Sequence, residues 1–177
     1  MKIRQTNLAV AALAGLSMLA ACSKDGATET APATEAAPAA DEVVLDTGRT
    51  AKEQVEFRQG QFKKMGKAFK TISDELKSSN PDVTVIQAAA ASVPEITADM
   101  DTWFPAGSGP ESGVKTDALP VIWENPDDFA EKIANLGAAA DGLAAAAEGV
   151  DIAAIGTAFG TTGGTCKSCH DTYRADD

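Results

Sequence analysis

One histidine, three cysteines, one tyrosine and 5% aromatics leave this 177-residue chain few ways to do chemistry. A single imidazole, His170, rules out ligation of one iron by two histidines of the same chain. It also rules out a hydrolytic triad if that imidazole is already engaged. Three cysteines and one histidine do not supply a second Cys/His pair, which a closed zinc site needs. Basic residues are short as well, 15 against 26 acidic ones, for a net charge of −11. That balance argues against nucleic acid and against peripheral binding to anionic lipid. Scarce aromatics beside abundant alanine favour helix over sheet. The one long apolar run, Leu8 to Ala21, is too short and too rich in alanine for a permanent membrane span.

Near the end of the chain stands Cys166-Lys167-Ser168-Cys169-His170. C-x-x-C-H is the attachment signature of a c-type haem. On a helix, residues three and four apart share a face, so both thiols can reach haem vinyl groups while His170 offers a nitrogen to iron. A thioredoxin-like redox pair would want a strand before the motif, and glycines and helix precede it here. The seven residues after His170 hold no histidine, methionine or cysteine, so a sixth ligand of those types must come from upstream.

The opening resembles a secretory signal: Lys2 and Arg4, an apolar core, then Leu19-Ala20-Ala21-Cys22. That ending is similar to a bacterial lipobox, in which Cys22 is lipidated and becomes the first mature residue. The cysteine count agrees, because two thiols serve haem and the third sits at the lipobox. Residues 1–21 are thus expected to be a lipoprotein-type signal, 22–48 a flexible Ala/Pro/Thr/Glu tether, and 49–177 one folded domain. Loss of Lys2 and Arg4 takes the net charge from −11 to −13.

Within that domain, apolar residues recur in alternating steps of three and four. The first stripe is Val55, Arg58, Phe62, Met65, Phe69, Ile72 and Leu76. A second takes Ile86, Ala89, Val93, Ile96, Met100 and Trp103, with Pro94 expected to kink it or restart it after Ser92. A third is expected to be capped by Asn125-Pro126 and to run from Phe129 to Ala147, ending at Gly149. Asp151 caps the fourth, which carries Ile152, Ile155, Phe159 and the haem motif. The fold expected is all-α, an antiparallel four-helix bundle with a C-terminal covalent haem site. The stretch from about Pro105 to Trp123 is a long Gly/Ser/Pro-rich loop, and such loops are often functional. Gly156, Gly160, Gly163 and Gly164 are expected to let the macrocycle lie close to backbone. Arg58 breaks the apolar stripe, and a guanidinium on a core seam calls for a carboxylate such as a haem propionate.

In this order, "FRQGQFKKMGKAF", "WFPAGSGPESG", "LPVIWENPDDF" and "FGTTGGTCKSCHDTYR" make residues 50–177 resemble the cytochrome c′ family. The resemblance implies one covalent haem c held by Cys166 and Cys169, with His170 as axial ligand. It also implies that Arg58 and Gln59 approach the propionates. Phe62 then faces the distal side, where low-spin relatives carry a methionine. Ser108 is a weaker match to a small hydroxyl residue near the haem edge, and Arg174 to a basic residue on the proximal side. The lipobox and tether depart from the family, whose members are mostly free in the periplasm. Dimers built from the first two helices are common in it, and Lys63, Lys64, Gly66 and Lys67 neither support nor exclude a homodimer here.

Elimination leaves two methionines, Met65 and Met100, as thioether ligands once Met1 and Met18 leave with the signal. Met65, on the Phe62 stripe, is the rival to an open distal side. An open side capped by Phe62 lacks a hydrogen-bond donor for oxygen, so NO and CO are the expected ligands. Electron transfer with a periplasmic or membrane redox partner is the companion expectation, favoured if Cys22 anchors the chain to a membrane. No acid–base residue sits near Phe62, so the chain is not expected to be an enzyme.

Overall fold

The computed structural model describes Ala39 and residues 41–176. The signal segment and Cys22 lie outside the described residues, as does most of the expected tether. Four long helices dominate: α1 (Ala51–Lys77), α2 (Val83–Thr97), α4 (Pro126–Glu148) and α5 (Ile152–Tyr173). A single-turn helix, α3 (Val121–Glu124), and two 3₁₀ turns lie in the long connection between α2 and α4. Among the described residues there is no named strand, only two isolated bridges, Val44 with Thr50 and Ala118 with Arg174.

The helix ends follow local chemistry. Thr50 and Glu53 form a reciprocal capping box at the start of α1, which satisfies two backbone donors that a helix start leaves bare. Asp82 and Asp151 cap α2 and α5, each with one carboxylate oxygen accepting two backbone N–H bonds. Asn125 does not use its side chain as a cap; Pro126 at the first helical position starts α4. The α4–α5 turn is tight, and its left-handed residue is Val150 (φ 54°) rather than Gly149 (φ −74°). A β-branched side chain in that region is strained.

Pro94 does not restart α2. The helix runs through it to Thr97. Ser92 donates to the Ala89 carbonyl inside the helix (2.7 Å) instead of capping a new one, and Thr97 donates to the Val93 carbonyl (3.1 Å). Pro94 brings no N–H for the Ala90 carbonyl, so the helix loses one ladder bond there and ends one turn later at Thr97.

Packing follows the expected stripes. Ile72, Ile86, Ala90, Leu143, Ala147 and Ile155 make a fully apolar cluster among all four long helices. A second cluster of Met65, Met100, Trp103 and Leu136 gathers Phe57, Phe62, Phe69 and Cys166 around it. The long helices pack α1 on α2, α2 on α4 and α4 on α5, whereas α1 and α5 meet only sparsely. The described end of the expected tether is not loose. Residues 43–50, part of the stretch expected to be tether, form a turn docked on the bundle, with Leu45 buried.

Candidate functional site

Between α1 and α5, where the bundle closes least, lies a cavity of about 580 Å³. Cofactor sites are commonly of that size and mostly apolar. From α5 it is bordered by Thr165, Cys166, Cys169, His170, Tyr173 and Arg174, and from α1 by Arg58, Gln59, Phe62, Lys63, Met65, Gly66 and Phe69. The haem motif and the first stripe therefore face each other across one space. Helix continues through Cys166, Cys169 and His170, so the spacing does place both thiols and the imidazole on one side.

Electrostatics prepares those groups. Burial pushes the Cys166 thiol up, and pushes Cys169 up to about 11, with Cys166 beside it adding to the shift. The two sulfurs are not paired in a disulfide. The His170 imidazole is held below its ordinary value, first by partial burial and then by nearby Arg174. A neutral ring is the form that ligates metal.

Arg58 decides what fits. It is 2% exposed, and its fork donates to Ser108 Oγ (2.9 Å) and Thr116 Oγ1 (2.7 Å) while lying over the Phe104 ring (4.9 Å). Burial pushes the guanidinium down to about 10, with Glu111 opposing the shift, so it stays charged at neutral pH. Its side-chain hydrogen-bond partners are neutral hydroxyls, and among the described residues no carboxylate lies within ion-pair distance of it. A buried cation held only by hydroxyls at the wall of an apolar cavity suits an entering carboxylate, which a haem propionate supplies. Cys166 and Cys169 border the same cavity, so the donor set fits a covalently attached haem.

The other expected site residues divide. Gln59 lines the cavity while donating to the Lys115 carbonyl (3.2 Å), and Arg174 lines it beside Asp117 (3.7 Å). Ser108 does not line it; fully buried, it donates to the Pro105 carbonyl and acts through Arg58. The four glycines of α5 do not line it either, and a Cβ at any of them would meet nothing within 4 Å. Nothing in the structure requires glycine there. The glycine at the cavity edge is Gly66 of α1.

Sequence periodicity missed Thr116, which completes the Arg58 fork from a loop. It also missed Lys132, which stands at the rim beside Asp128 (4.0 Å). Asp128 accepts a short hydrogen bond from the Tyr173 hydroxyl, whose ring meets Phe129 edge-on (5.0 Å).

With the geometry fixed, known proteins can be compared. The family model described as Cytochrome C′ matches residues 53–174. The chain belongs to the cytochrome c′ family. Cytochrome c-556 of Agrobacterium tumefaciens is 38% identical over 122 residues, covering 68% of this chain and 96% of that one. The crystal structure of cytochrome c′ from Thermochromatium tepidum superposes with a TM-score of 0.65 at 33% identity, covering 72% of this chain and 98% of its own. A nitric oxide complex of a cytochrome c prime mutant from Alcaligenes xylosoxidans gives a TM-score of 0.64 at 28% identity, over 71% and 97%. Cytochrome c′ proteins carry one covalent haem c and are periplasmic, and the solved neighbours are four-helix bundles. No helix among the described residues of this cytochrome c′ is long and apolar enough to cross a membrane.

Two predictions follow from these side chains. Arg58→Leu removes the cation that a propionate needs, so the haem-loaded protein should lose about 1–3 kcal/mol and the haem-free bundle less, as compared by thermal unfolding. The second concerns alkali. Hydrogen bonding to Asp128, then burial, raises the Tyr173 phenol to about 12 from an ordinary value near 10. Between those values the folded state holds a proton that the unfolded state has released, so stability falls as pH rises. Unfolding curves from pH 9 to 12 should show the advantage of the native chain over Tyr173→Phe shrinking across that window.

Proposed function

We propose that this cytochrome c′ holds its haem iron from the α5 side through His170 and keeps the opposite side, faced by Phe62, accessible to NO and CO. Electron exchange with a periplasmic or membrane redox partner is part of the same reading. When bound, the haem supplies an iron that can exchange a small ligand or change oxidation state. The protein's share is to attach, orient and exclude. Cys166 and Cys169 fix the macrocycle, and Arg58 and Gln59 stand where its carboxylates enter.

The observation that carries this reading is the character of the facing wall. Phe62, Met65, Phe69 and Met100 present ring and thioether surface, with no histidine and no acid among them. Those four side chains offer nothing to hydrogen-bond bound oxygen, and they favour less polar gases. The Alcaligenes protein takes nitric oxide on the same fold, which supports the ligand class.

Met65 supplies the rival reading, a six-coordinate electron carrier, because it lines the same cavity. Its environment supports packing instead. At 7% exposure it sits in the cluster with Met100, Trp103 and Leu136, the usual work of a methionine on a helical stripe. The optical spectrum of the reduced protein with and without CO separates the two. An open site gives a broad visible band and a Soret shift on CO addition; Met65→Leu leaves both unchanged, and Phe62→Ala speeds CO association about tenfold or more. A sharp, split spectrum indifferent to CO, converted to an open one by Met65→Leu, would establish the rival.

Attachment through a lipidated Cys22 and assembly as a homodimer complete the proposal. The lipobox-like Leu19-Ala20-Ala21-Cys22 motif supports the first. Cys22→Ser should move the protein from the membrane fraction to the soluble one, and an unchanged distribution would remove the anchor.

A further inference from the structure

Phe62 is itself held in place, and what holds it leads away from the haem. Its ring meets the Trp103 indole edge-on, with centroids 5.3 Å apart at 89°. Trp103 is fully buried and does not line the cavity. Its Nε1 donates to Asp99 Oδ1 (3.0 Å), and Phe57 meets it edge-on from another side (6.3 Å, 88°). Its backbone is fixed by Gln54, another fully buried residue, whose Nε2 donates to the carbonyls of Trp103 (3.0 Å) and Thr102 (3.2 Å).

The other end of the Gln54 amide is held from outside the four helices. Its Oε1 accepts from Thr47 Oγ1 (3.0 Å) and from Arg49 Nη1 (3.3 Å). Thr47 and Arg49 belong to the turn of residues 43–50, which is closed by Leu45 N to Arg49 O (2.8 Å) and Ala51 N to Val43 O (3.2 Å). The Arg49 guanidinium also lies 4.0 Å over the Phe57 ring. The turn thus reaches Trp103 twice, once through the Gln54 amide and once through the Phe57 ring.

We propose that Gln54 and Trp103 are positioning residues for Phe62, and that the turn of residues 43–50 sets the gas-facing wall of the haem site through them. The inference rests on the reading of Phe62 as that wall. A buried amide whose donors and acceptor are all engaged has one well-defined orientation. Removing the two donors to Oε1 leaves a buried acceptor bare, which costs enough to make the amide turn. The Thr102 and Trp103 carbonyls then lose their anchor, and the indole loosens its edge contact with Phe62. Because the turn is where the N-terminal segment joins the bundle, whatever holds or pulls that segment bears on ligand entry.

The test uses the full-length, haem-loaded protein and the double substitution Thr47→Ala with Arg49→Ala, neither of which touches the cavity. CO association after flash photolysis should become about two- to tenfold faster, the span that corresponds to the worth of one aromatic pair. In a Phe62→Ala background the same double substitution should change the rate no further. Hydrogen exchange of the Trp103 and Phe104 amides should quicken in the double variant, whether or not haem is loaded. A CO rate that stays at the native value, or rises equally in both backgrounds, overturns the proposal. If Phe62→Ala alone leaves CO association unchanged, the distal-wall reading fails and takes this consequence with it. Faster amide exchange combined with a native CO rate overturns the positioning role and leaves the distal-wall reading standing.

Discussion

A guanidinium shut inside an apolar bundle, hydrogen-bonded to two hydroxyl groups and lying against a ring, governs much of what surrounds it. Burying a charge without a counter-charge is among the more expensive things a fold can do. Arg58 is tolerable because Ser108 and Thr116 engage its fork and Phe104 lies against its face. Both hydroxyls come from the connection between α2 and α4, far from Arg58 in sequence. The length of that connection therefore has a purpose: it must travel from the end of α2 to Arg58 before α4 can begin. It is held in place by Leu119 N to Tyr173 O (3.0 Å) and Ala175 N to Asp117 O (2.8 Å), both beside the haem motif. One loop thus ties the cation of α1 to the end of α5.

The aromatic residues, though few, are concentrated where they count. Phe57, Trp103 and Phe62 make one edge-on series, and Phe104, Phe129 and Tyr173 make another that reaches the end of α5. Edge-on pairs contribute about 0.5–1.5 kcal/mol beyond the area they bury, and they fix ring orientation as well. The cluster around Ile72 and Leu143 is alanine and aliphatic at its centre, with Phe159 packed against it. That division separates a plain packing end of the bundle from an oriented end around the cavity.

What the sequence made legible was whatever repeats along a helix. Val55, Arg58, Met65 and Ile72 are buried as the first stripe requires, and Phe62 and Phe69 are half-buried because they face the cavity. The haem motif, the Asp151 cap and the proline start of α4 were local signals and came through intact. Contacts between distant segments did not. Gln54 binds carbonyls 48 and 49 positions away, and no spacing rule points from one to the other. Ser108 was placed at the haem edge by resemblance, whereas its hydroxyl lies behind Arg58. The four glycines of α5 were read as room for the macrocycle, yet none of them lines the cavity. Residues 43–50 carry the composition of a tether, but Leu45, Thr47 and Arg49 find partners only once the bundle exists.

The packing order of the helices gives the cofactor a structural part beyond its chemistry. Contacts run from α1 to α2, from α2 to α4 and from α4 to α5, and they nearly stop between α5 and α1. A bundle joined in series has one seam held by little besides what occupies the space between its first and last members. A haem bonded to Cys166 and Cys169 on α5, with a carboxylate on Arg58 of α1, would span that seam. The covalent bonds and the buried cation would then be two ends of one clasp. A seam with so little direct helix contact is consistent with Phe62 and the indole behind it being held by residues outside the cavity. The cavity cannot organise its own rim before the cofactor arrives, so the turn, Gln54 and Trp103 set that rim in advance.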